Sequence, residues 1–343
     1  MTVTLRPYQS EAVLQIRQAF GSGAKAPLYV APTGSGKTTI FAAIAHSCER
    51  RNKRVLILCH RIELIDQIVE RLAEFGVEPT VIAPGRRTEK QSVHVTVASV
   101  QTLVRRLGRY PEPTLIVCDE AHHSASGNSW VKIYASYSGA KLLGVTATPL
   151  RLDGRGLGVH FDRLILGPSV RELTAQGYLV PARLFAPSSI DTSGLHIRAG
   201  DYRSDETSVL MDKPSITGDV LAHYQRLAPG LPALAFCASV EHAHNVAAQF
   251  REAGINALAL DGGTDKNLRR QAVKDFREGR IQVLTNCDLF GEGLDLIGCH
   301  VAILLRPTMS LRLYLQQIGR VLRPAPGKSQ AIILDHVNNV MRH

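Results

Sequence analysis

Residues 28–38 read LYVAPTGSGKT, a short apolar run, a glycine-rich turn and the start of an amphipathic stretch. That context is what a phosphate-binding loop requires. Gly34 and Gly36 let backbone N–H groups approach an anion closely, and the following stretch offers a helix N-terminus to negative charge. Lys37 is then placed to bridge the β- and γ-phosphates of a nucleoside triphosphate, and Thr38 to hold Mg2+ through its hydroxyl. The strict pattern G-x-x-x-x-G-K-[ST] is missed at one position, because Ala31 stands where its first glycine would be. The competing reading is a turn that only caps a helix; the GKT triplet in this setting argues against it.

A second constellation lies at residues 114–123, TLIVCDEAHH. The apolar run delivers Asp119 and Glu120 to a strand's C-terminal end, where α/β sheets bind ligands. Asp119 can hold the Mg2+ shell, and Glu120 can position or deprotonate a water. Alone, such a pair is often just a helix N-terminus; beside the loop at 31–38 it gains weight. His122 and His123 are adjacent, so they point to different faces. No carboxylate–histidine ligand set accompanies them, which argues against zinc.

The third lies near the C-terminus. Gln316, Arg320 and Arg323 are spaced 4 and 3, so on a helix they share one face. Leu311, Leu315, Ile318 and Leu322 would form a buried stripe on another. Two guanidiniums and an amide presented together suit a phosphate. A solvated charge pair on a surface helix is the alternative, and the phosphate loop in the same chain favours the first reading.

The elements that must position these groups are legible as unalternating apolar runs. They fall at 28–30, 54–59, 93–97, 114–118 and 141–145, and again at 233–237, 256–260, 281–285, 300–305 and 330–334. Such runs suit strands buried on both faces, as in parallel sheets. Between them Ile62, Ile65, Ile68, Val69, Leu72 and Phe75 mark one apolar helix face. Two blocks of strand–helix alternation predict an α/β chain with two open sheets. Domains are expected over 1–168 and 216–343. The intervening 169–215, rich in Pro, Gly, Ser and Asp with a helix at 169–177, reads as a connector with irregular or hairpin content.

Composition sets the outer limits. The chain has 343 residues with 45% hydrophobic and 20% charged, enough to bury two cores and too apolar for disorder. No run reaches the ~20 apolar residues of a membrane helix, and the N-terminus lacks a signal-peptide pattern. Six scattered cysteines without a C-x-x-C pair suggest reduced core residues of a cytoplasmic protein. The net charge is +10; residues 1–168 hold 21 basic and 13 acidic residues, the remainder 19 and 17. That surplus favours a polyanionic partner. Aromatics are only 6%, so a bound nucleic acid would be held mainly by its backbone.

Together these segments resemble the motifs of superfamily 2 helicases. APTGSGKT (31–38) is similar to that group's phosphate loop, Ala31 included, and DEAH (119–122) to its second motif. LRPYQ (5–9) resembles its adenine-reading element, and TATP (146–149) the motif coupling hydrolysis to nucleic-acid binding. LCHRIELIDQ (58–67) and TVASVQTL (96–103) resemble strand-contacting motifs. LAFCASV (234–240), TNCDLFGEGLDL (285–296) and QQIGRVLR (316–323) resemble the fourth, fifth and sixth. The order is kept along essentially the whole chain, and the likeness is greatest to compact, ResIII-containing helicases related to UvsW and XPB. Gln317 stands where DEAH-box RNA helicases usually carry Arg, which points away from that branch. Relatives often continue beyond residues 333–343, so the chain reads as a minimal or truncated form.

The resemblance implies two tandem RecA-like parallel-sheet domains with an ATP cleft between them. By resemblance, ATP and Mg2+ would be held by Arg6, Gln9, Thr33, Gly34, Ser35, Gly36, Lys37, Thr38, Thr39, Asp119 and Asp295. Glu120, Gln316, Arg320 and Arg323 would act in hydrolysis, and His122, Thr146 and Thr148 in coupling. His60, Arg61, Ser99, Gln101 and Thr285 are the candidate strand contacts; Ser99 and Thr285 could equally cap helices, and Arg61 could be a solvated charge. The implied activity is ATP-dependent movement on nucleic acid, with single-stranded or forked DNA favoured over RNA and 3′→5′ polarity. Alternatives are an RNA helicase, the motor of a restriction or defence assembly whose protein partner supplies specificity or nuclease activity, and an ATP-dependent binding switch. A small-molecule kinase would not need the second block.

Overall fold

A computed structural model describes residues 3–86, 94–126, 128–149, 156–186, 190–198, 200–211, 214–287, 296 and 298–343. The chain divides into two compact units, residues 1–169 and 170–343.

The first unit is built on seven parallel strands: β1 (Pro27–Val30), β2 (Val55–Cys59), β3 (Thr80–Ile82), β4 (Val95–Ser99), β5 (Leu115–Asp119), β6 (Lys141–Thr146) and β7 (Arg163–Leu166). Their order is β3-β4-β2-β5-β6-β1-β7. The unalternating sequence of the inner strands has a direct cause. Ile57, Cys59 and Val117 enter one core layer with Phe41, Ile65 and Ile68. Leu58, Ile116 and Cys118 enter the opposite layer with Trp130 and Ile133. Both faces are dry, so both parities are apolar. On the helix Ile62–Glu74, Ile65, Ile68 and Leu72 of the expected face are fully buried, while Leu64, Val69 and Phe75 pack at its edge.

Parallel register sends every strand's C-terminal end to one edge. Thr146 lies beside Val30, Asp119 beside Val145, and Ser99 beside Cys59. The glycine-rich loop, the acidic pair and the TATP segment are therefore neighbours by topology.

The second unit holds β8 (Ala182–Phe185), the antiparallel ribbon of β9 (Ile197–Arg198) with β10 (Asp201–Tyr202), then β11 (Ala233–Cys237), β12 (Ala257–Leu260), β13 (Val283–Asn286), β14 (Val301–Leu305) and β15 (Ala331–Asp335). Its six-stranded sheet is parallel throughout, in the order β12-β13-β11-β14-β15-β8. Here the expected connector over 169–215 needs correction. The helix Val170–Ala175 begins the second unit, and β8 is an edge strand of its sheet, pairing Ala182 with Ala331. β8 escaped the sequence reading because an edge strand has one unpaired side and little burial; Ala182, Arg183 and Leu184 are exposed. For the same reason β7 carries no clear signal: Leu164 and Leu166 face solvent.

Two further features bear on the sequence expectations. Among the described residues no helix is long and apolar enough to cross a membrane, and no cluster of three metal-ligating side chains occurs. The six cysteines are all unpaired thiols, four of them buried.

His336, directly after β15, is fully buried, and neither ring nitrogen has a hydrogen-bond partner. Burial first, and then the neighbouring His223 ring 5.3 Å away, lower its pKa to about 4. The unfolded chain therefore takes up a proton near pH 6.5 that the folded chain refuses until about pH 4. Stability should fall as pH drops through that window, by up to ~3 kcal/mol. Urea midpoints from pH 7 to pH 4 check this: the acid loss should shrink in His336→Gln, and an identical slope would exclude the assignment.

Candidate functional site

The phosphate loop leaves the end of β1 and closes on the helix Lys37–Glu49. Gly34 and Gly36 both take positive φ, 88° and 76°, and Gly36 is the residue that opens the helix. The positive φ favours glycine there, and a Cβ would displace the Gln9 amide, whose Nε2 would stand 2.5 Å away. Lys37 Nζ donates to the carbonyls of Ala31 (3.1 Å) and Pro32 (3.3 Å), folding its charge over the loop's own backbone. Ser35 is buried, and its hydroxyl has no partner. Thr33, Thr38 and Thr39 are half-buried beside it.

The segment at 5–9 is tied to this loop. Pro7 starts the helix Pro7–Gly21, and Gln9 closes a capping box by accepting from the Arg6 N–H at 3.0 Å. Its amide also reaches the Ser35 carbonyl, at a marginal 3.5 Å. The stronger tether is Tyr8, whose hydroxyl donates to the same carbonyl at 2.8 Å. Sequence reasoning passed over Tyr8, although it sits inside the quoted LRPYQ. Arg6 is exposed and reaches the Tyr8 hydroxyl at 3.3 Å.

Asp119 and Glu120 stand at the end of β5. Asp119 is 5% exposed, and its carboxylate accepts from the Glu120 N–H at 3.0 Å. Glu120 adopts φ 49°, a left-handed conformation that glutamate rarely takes. Its carboxylate lies 3.4 Å from His122 Nδ1, which in turn meets the Thr146 hydroxyl at 3.0 Å. Thr146 is fully buried, donates to the Thr148 carbonyl (2.9 Å) and faces the Thr148 N–H (3.2 Å). A run of polar contacts thus leads from the acidic pair to the TATP loop, its first step a 3.4 Å approach to Glu120 Oε2 and not a hydrogen bond, and the Ala31 N–H donates to the Thr146 carbonyl at 3.1 Å, linking the phosphate loop.

Of the candidate strand contacts, the structure separates several. His60 stacks on His123, with centroids 4.2 Å apart and planes at 13°; His123 in turn packs against His122. The stack places His60 two rings from Glu120, a link no spacing rule reveals. Arg61 is half-buried at the N-terminus of its helix, and Gln101 is exposed. Ser99 stands at the N-cap position of the helix Val100–Leu103, but its side chain makes no capping bond: it is buried and donates to Gln101 Oε1 at 3.0 Å. Thr285 must be corrected. It is fully buried in β13 and donates to the Ala243 carbonyl at 2.7 Å, so its side chain packs a helix onto the sheet and faces no solvent. Asp295 lies outside the described residues.

In the second unit the helix at the third constellation runs Leu311–Gly319, and Arg320 is its C-cap. The single-helix argument for Gln316, Arg320 and Arg323 is therefore wrong in form. Chain beyond the helix end, not a seventh-position helical neighbour, presents Arg323. The expected apolar stripe holds only in part: Leu322 is buried and Leu315 and Ile318 are half-buried, but Leu311 is 44% exposed, while Tyr314, Gln316 and Gln317 are buried. Gln316 is 2% exposed, and neither its amide oxygen nor its nitrogen has a hydrogen-bond partner. A doubly orphaned buried amide is costly, and it is what a phosphate-and-water ligand would satisfy. Arg320 is 7% exposed and Arg323 half-buried.

Comparisons with known proteins give the family. Residues 2–151 match the family described as Type III restriction enzyme, res subunit, and residues 213–325 match Helicase conserved C-terminal domain. The chain is a superfamily 2 helicase with a ResIII-like N-terminal domain. It is 39% identical over 312 residues to the 51.5 kDa protein of a Lactococcus phage, covering 91% of this chain and 66% of that protein. It is 31% identical to the putative ATP-dependent helicase IRC3 of Saccharomyces cerevisiae, covering 97% and 51%. The chain thus spans about half to two thirds of the length of these relatives. A fragment of a putative type I restriction HsdR subunit from Vibrio vulnificus shares the fold, with TM-score 0.75 at 22% identity over 96% of this chain and 64% of that one.

One further residue holds the backbone of residues 321–323 and left no sequence signal. Lys328 is 8% exposed, and its Nζ donates to the carbonyls of Cys299 (2.6 Å), Val321 (2.5 Å) and Arg323 (2.9 Å). Leu322 is held from the other side, its carbonyl accepting the Val180 N–H at 2.8 Å. Burial, with Arg323 nearby, lowers the lysine's pKa to about 8. The ammonium is kept because three carbonyls hold it, and it fixes the backbone that carries both arginines. Lys328→Met should destabilise the helicase by about 1–3 kcal/mol through orphaned carbonyls. A urea midpoint equal to that of the unaltered protein would contradict the role.

Proposed function

We propose that this helicase is an ATP-driven motor that moves on DNA with 3′→5′ polarity and remodels forked or branched substrates. The observation that carries the reading is the polar chain from Glu120 through His122 to Thr146 and Thr148, anchored to the phosphate loop through Ala31. A hydrolase needs the carboxylate and the loop. Only a machine that reports its nucleotide state elsewhere needs the connection onward.

The residues present fit Mg2+-ATP. Ser35 and Gln316 offer buried groups without partners, Gly34 and Gly36 take the positive φ that a phosphate loop requires, and Lys37 rests on carbonyls it can leave. Bound ATP would supply the phosphoryl group transferred to water, and Mg2+ would supply charge neutralisation there. Lys37 and the loop amides would bind the phosphates, and Thr38 and Asp119 would hold the metal. Glu120 orients the attacking water and takes its proton. Arg320 and Arg323 stabilise charge on the transferring group, with Gln316 ordering the water. Hydrolysis gated by a conformational step is what converts the chemistry into movement.

DNA is favoured by two supports. The basic surplus concentrates in residues 1–168. A relative 25% identical over 368 residues is named DNA 3'-5' translocase XPB2, from Sulfurisphaera tokodaii. RNA is the second reading, favoured by a relative named ATP-dependent RNA helicase FAL1, 23% identical over 339 residues. A protein partner supplying specificity or nuclease activity fits the likeness to a type I restriction endonuclease subunit of Escherichia coli, 25% identical over 358 residues. ATPase rates with single-stranded DNA, forked DNA and RNA decide between the readings. Stimulation by DNA, greatest with forks and falling steeply with salt, is expected; stimulation by RNA alone would transfer the assignment, and none by either would remove the motor.

A further inference from the structure

At the opposite end of the first sheet from the phosphate loop lies a cavity of about 670 Å³. It is formed where strands begin: residues 53–54 lead into β2, Thr114 and Leu115 open β5, and Lys141 opens β6. Asp119 is at the far end of β5, so about 13 Å of strand separates this cavity from the acidic pair.

Its chemistry is two-layered. Ile16, Ile44 and Leu115, all buried, and the half-buried Phe20 form an apolar floor. Five cations line it: Arg17, Arg51, Lys53, Arg54 and Lys141. Glu112 is the only carboxylate in the lining. Arg17 donates to the Ser47 hydroxyl at 2.9 Å, and Lys141 stands 5.0 Å from the Phe20 ring centroid. Among the described residues Arg51, Lys53 and Arg54 enter no side-chain ion pair, and Glu112 neutralises none of them. Excess positive charge gathered over an apolar depression is retained without internal compensation.

We infer that this cavity docks an acidic segment of a protein partner, with one apolar side chain seated on the floor and carboxylates among the arginines. The floor's size suits an anchoring Phe or Leu, and the cations supply charge complementarity and register. A nucleic-acid strand is the poorer occupant. It would need cations along a track and no apolar depth, and the Phe20 ring that a base would stack on already carries the Lys141 ammonium. Because the cavity lies at the strand starts, a bound partner leaves the strand ends that carry the catalytic groups uncovered.

The test uses the whole chain and a fluorescein-labelled peptide of Asp and Glu around a central Phe, read by anisotropy. Expected is saturable binding, weakened at least about tenfold both in Arg51→Glu/Arg54→Glu and when the peptide Phe becomes Ser. Both arginines are exposed and outside the nucleotide site, so the variant's basal ATPase should equal the parent's, which also verifies folding. Equal binding by parent and variant would overturn the inference, as would no peptide binding at all. Competition by a single-stranded oligonucleotide whose own affinity falls with the same variant would reassign the surface to nucleic acid and equally overturn it. None of these outcomes touches the motor reading, which stands or falls on nucleic-acid-stimulated ATPase.

Discussion

Arg320→Ala should slow ATP hydrolysis by about 10³–10⁵-fold while leaving ATP affinity near that of the parent. The guanidinium is 7% exposed and directly follows the helix Leu311–Gly319. It is carried on backbone pinned by Lys328 and by the Val180–Leu322 hydrogen bond. That fixation matters: a pre-positioned cation stabilises developing charge without reorganising at the moment of reaction. Ground-state binding rests chiefly on the phosphate loop, so affinity and rate should separate. Arg320→Lys should recover only part of the loss, because a point charge cannot reproduce the planar fork. Single-turnover hydrolysis alongside fluorescent-nucleotide binding measures both quantities. A rate within a few-fold of the parent would dismiss Arg320 from the reaction.

Much of this architecture was readable because burial on both faces leaves an unambiguous trace. β2, β5, β11, β14 and β15 are each buried throughout, and each appeared as an unbroken apolar run. β3, β7 and β8 did not: β3 has three residues, and β7 and β8 are partnered on one side only. The connector expectation missed β8 for that reason, since Pro181 and Arg183 look like loop residues until the backbone of β8 is seen pairing with β15, although its helix and the hairpin of β9 and β10 are present. At the site, the phosphate loop and acidic pair were legible because their chemistry is local. At Gln316, Arg320 and Arg323 the structure departs from the single helical face that the spacing predicts. Periodicity assumes that a helix continues, and this one stops at Gly319. Lys328, Tyr8 and the His60–His123 stack act through contacts distant in sequence, which spacing cannot encode. Thr285 shows the converse: a residue type suited to a phosphate contact proved to serve packing.

Glu120→Gln should reduce hydrolysis by about 10²–10⁴-fold and retain ATP binding. The positive-φ non-glycine residues described are Asn52, Asn338 and Glu120. Asparagine tolerates that region; glutamate occupies it at a cost. The strain is sustained by neighbours: the Asp119 carboxylate takes the Glu120 N–H, and His122 faces the side chain at 3.4 Å. Glutamine keeps the size and the backbone, so folding and Mg2+-ATP binding through Lys37, Thr38 and Asp119 should persist. What it loses is the ability to accept a proton from water. His122→Ala should behave differently. It leaves the carboxylate in place but cuts the chain to Thr146, so basal hydrolysis should survive better than stimulation by nucleic acid. The pair of variants therefore distinguishes chemistry from coupling. Loss of ATP binding in a folded Glu120→Gln protein would show that the carboxylate serves the ground state, and equal basal and stimulated losses in His122→Ala would break the proposed path from hydrolysis to movement.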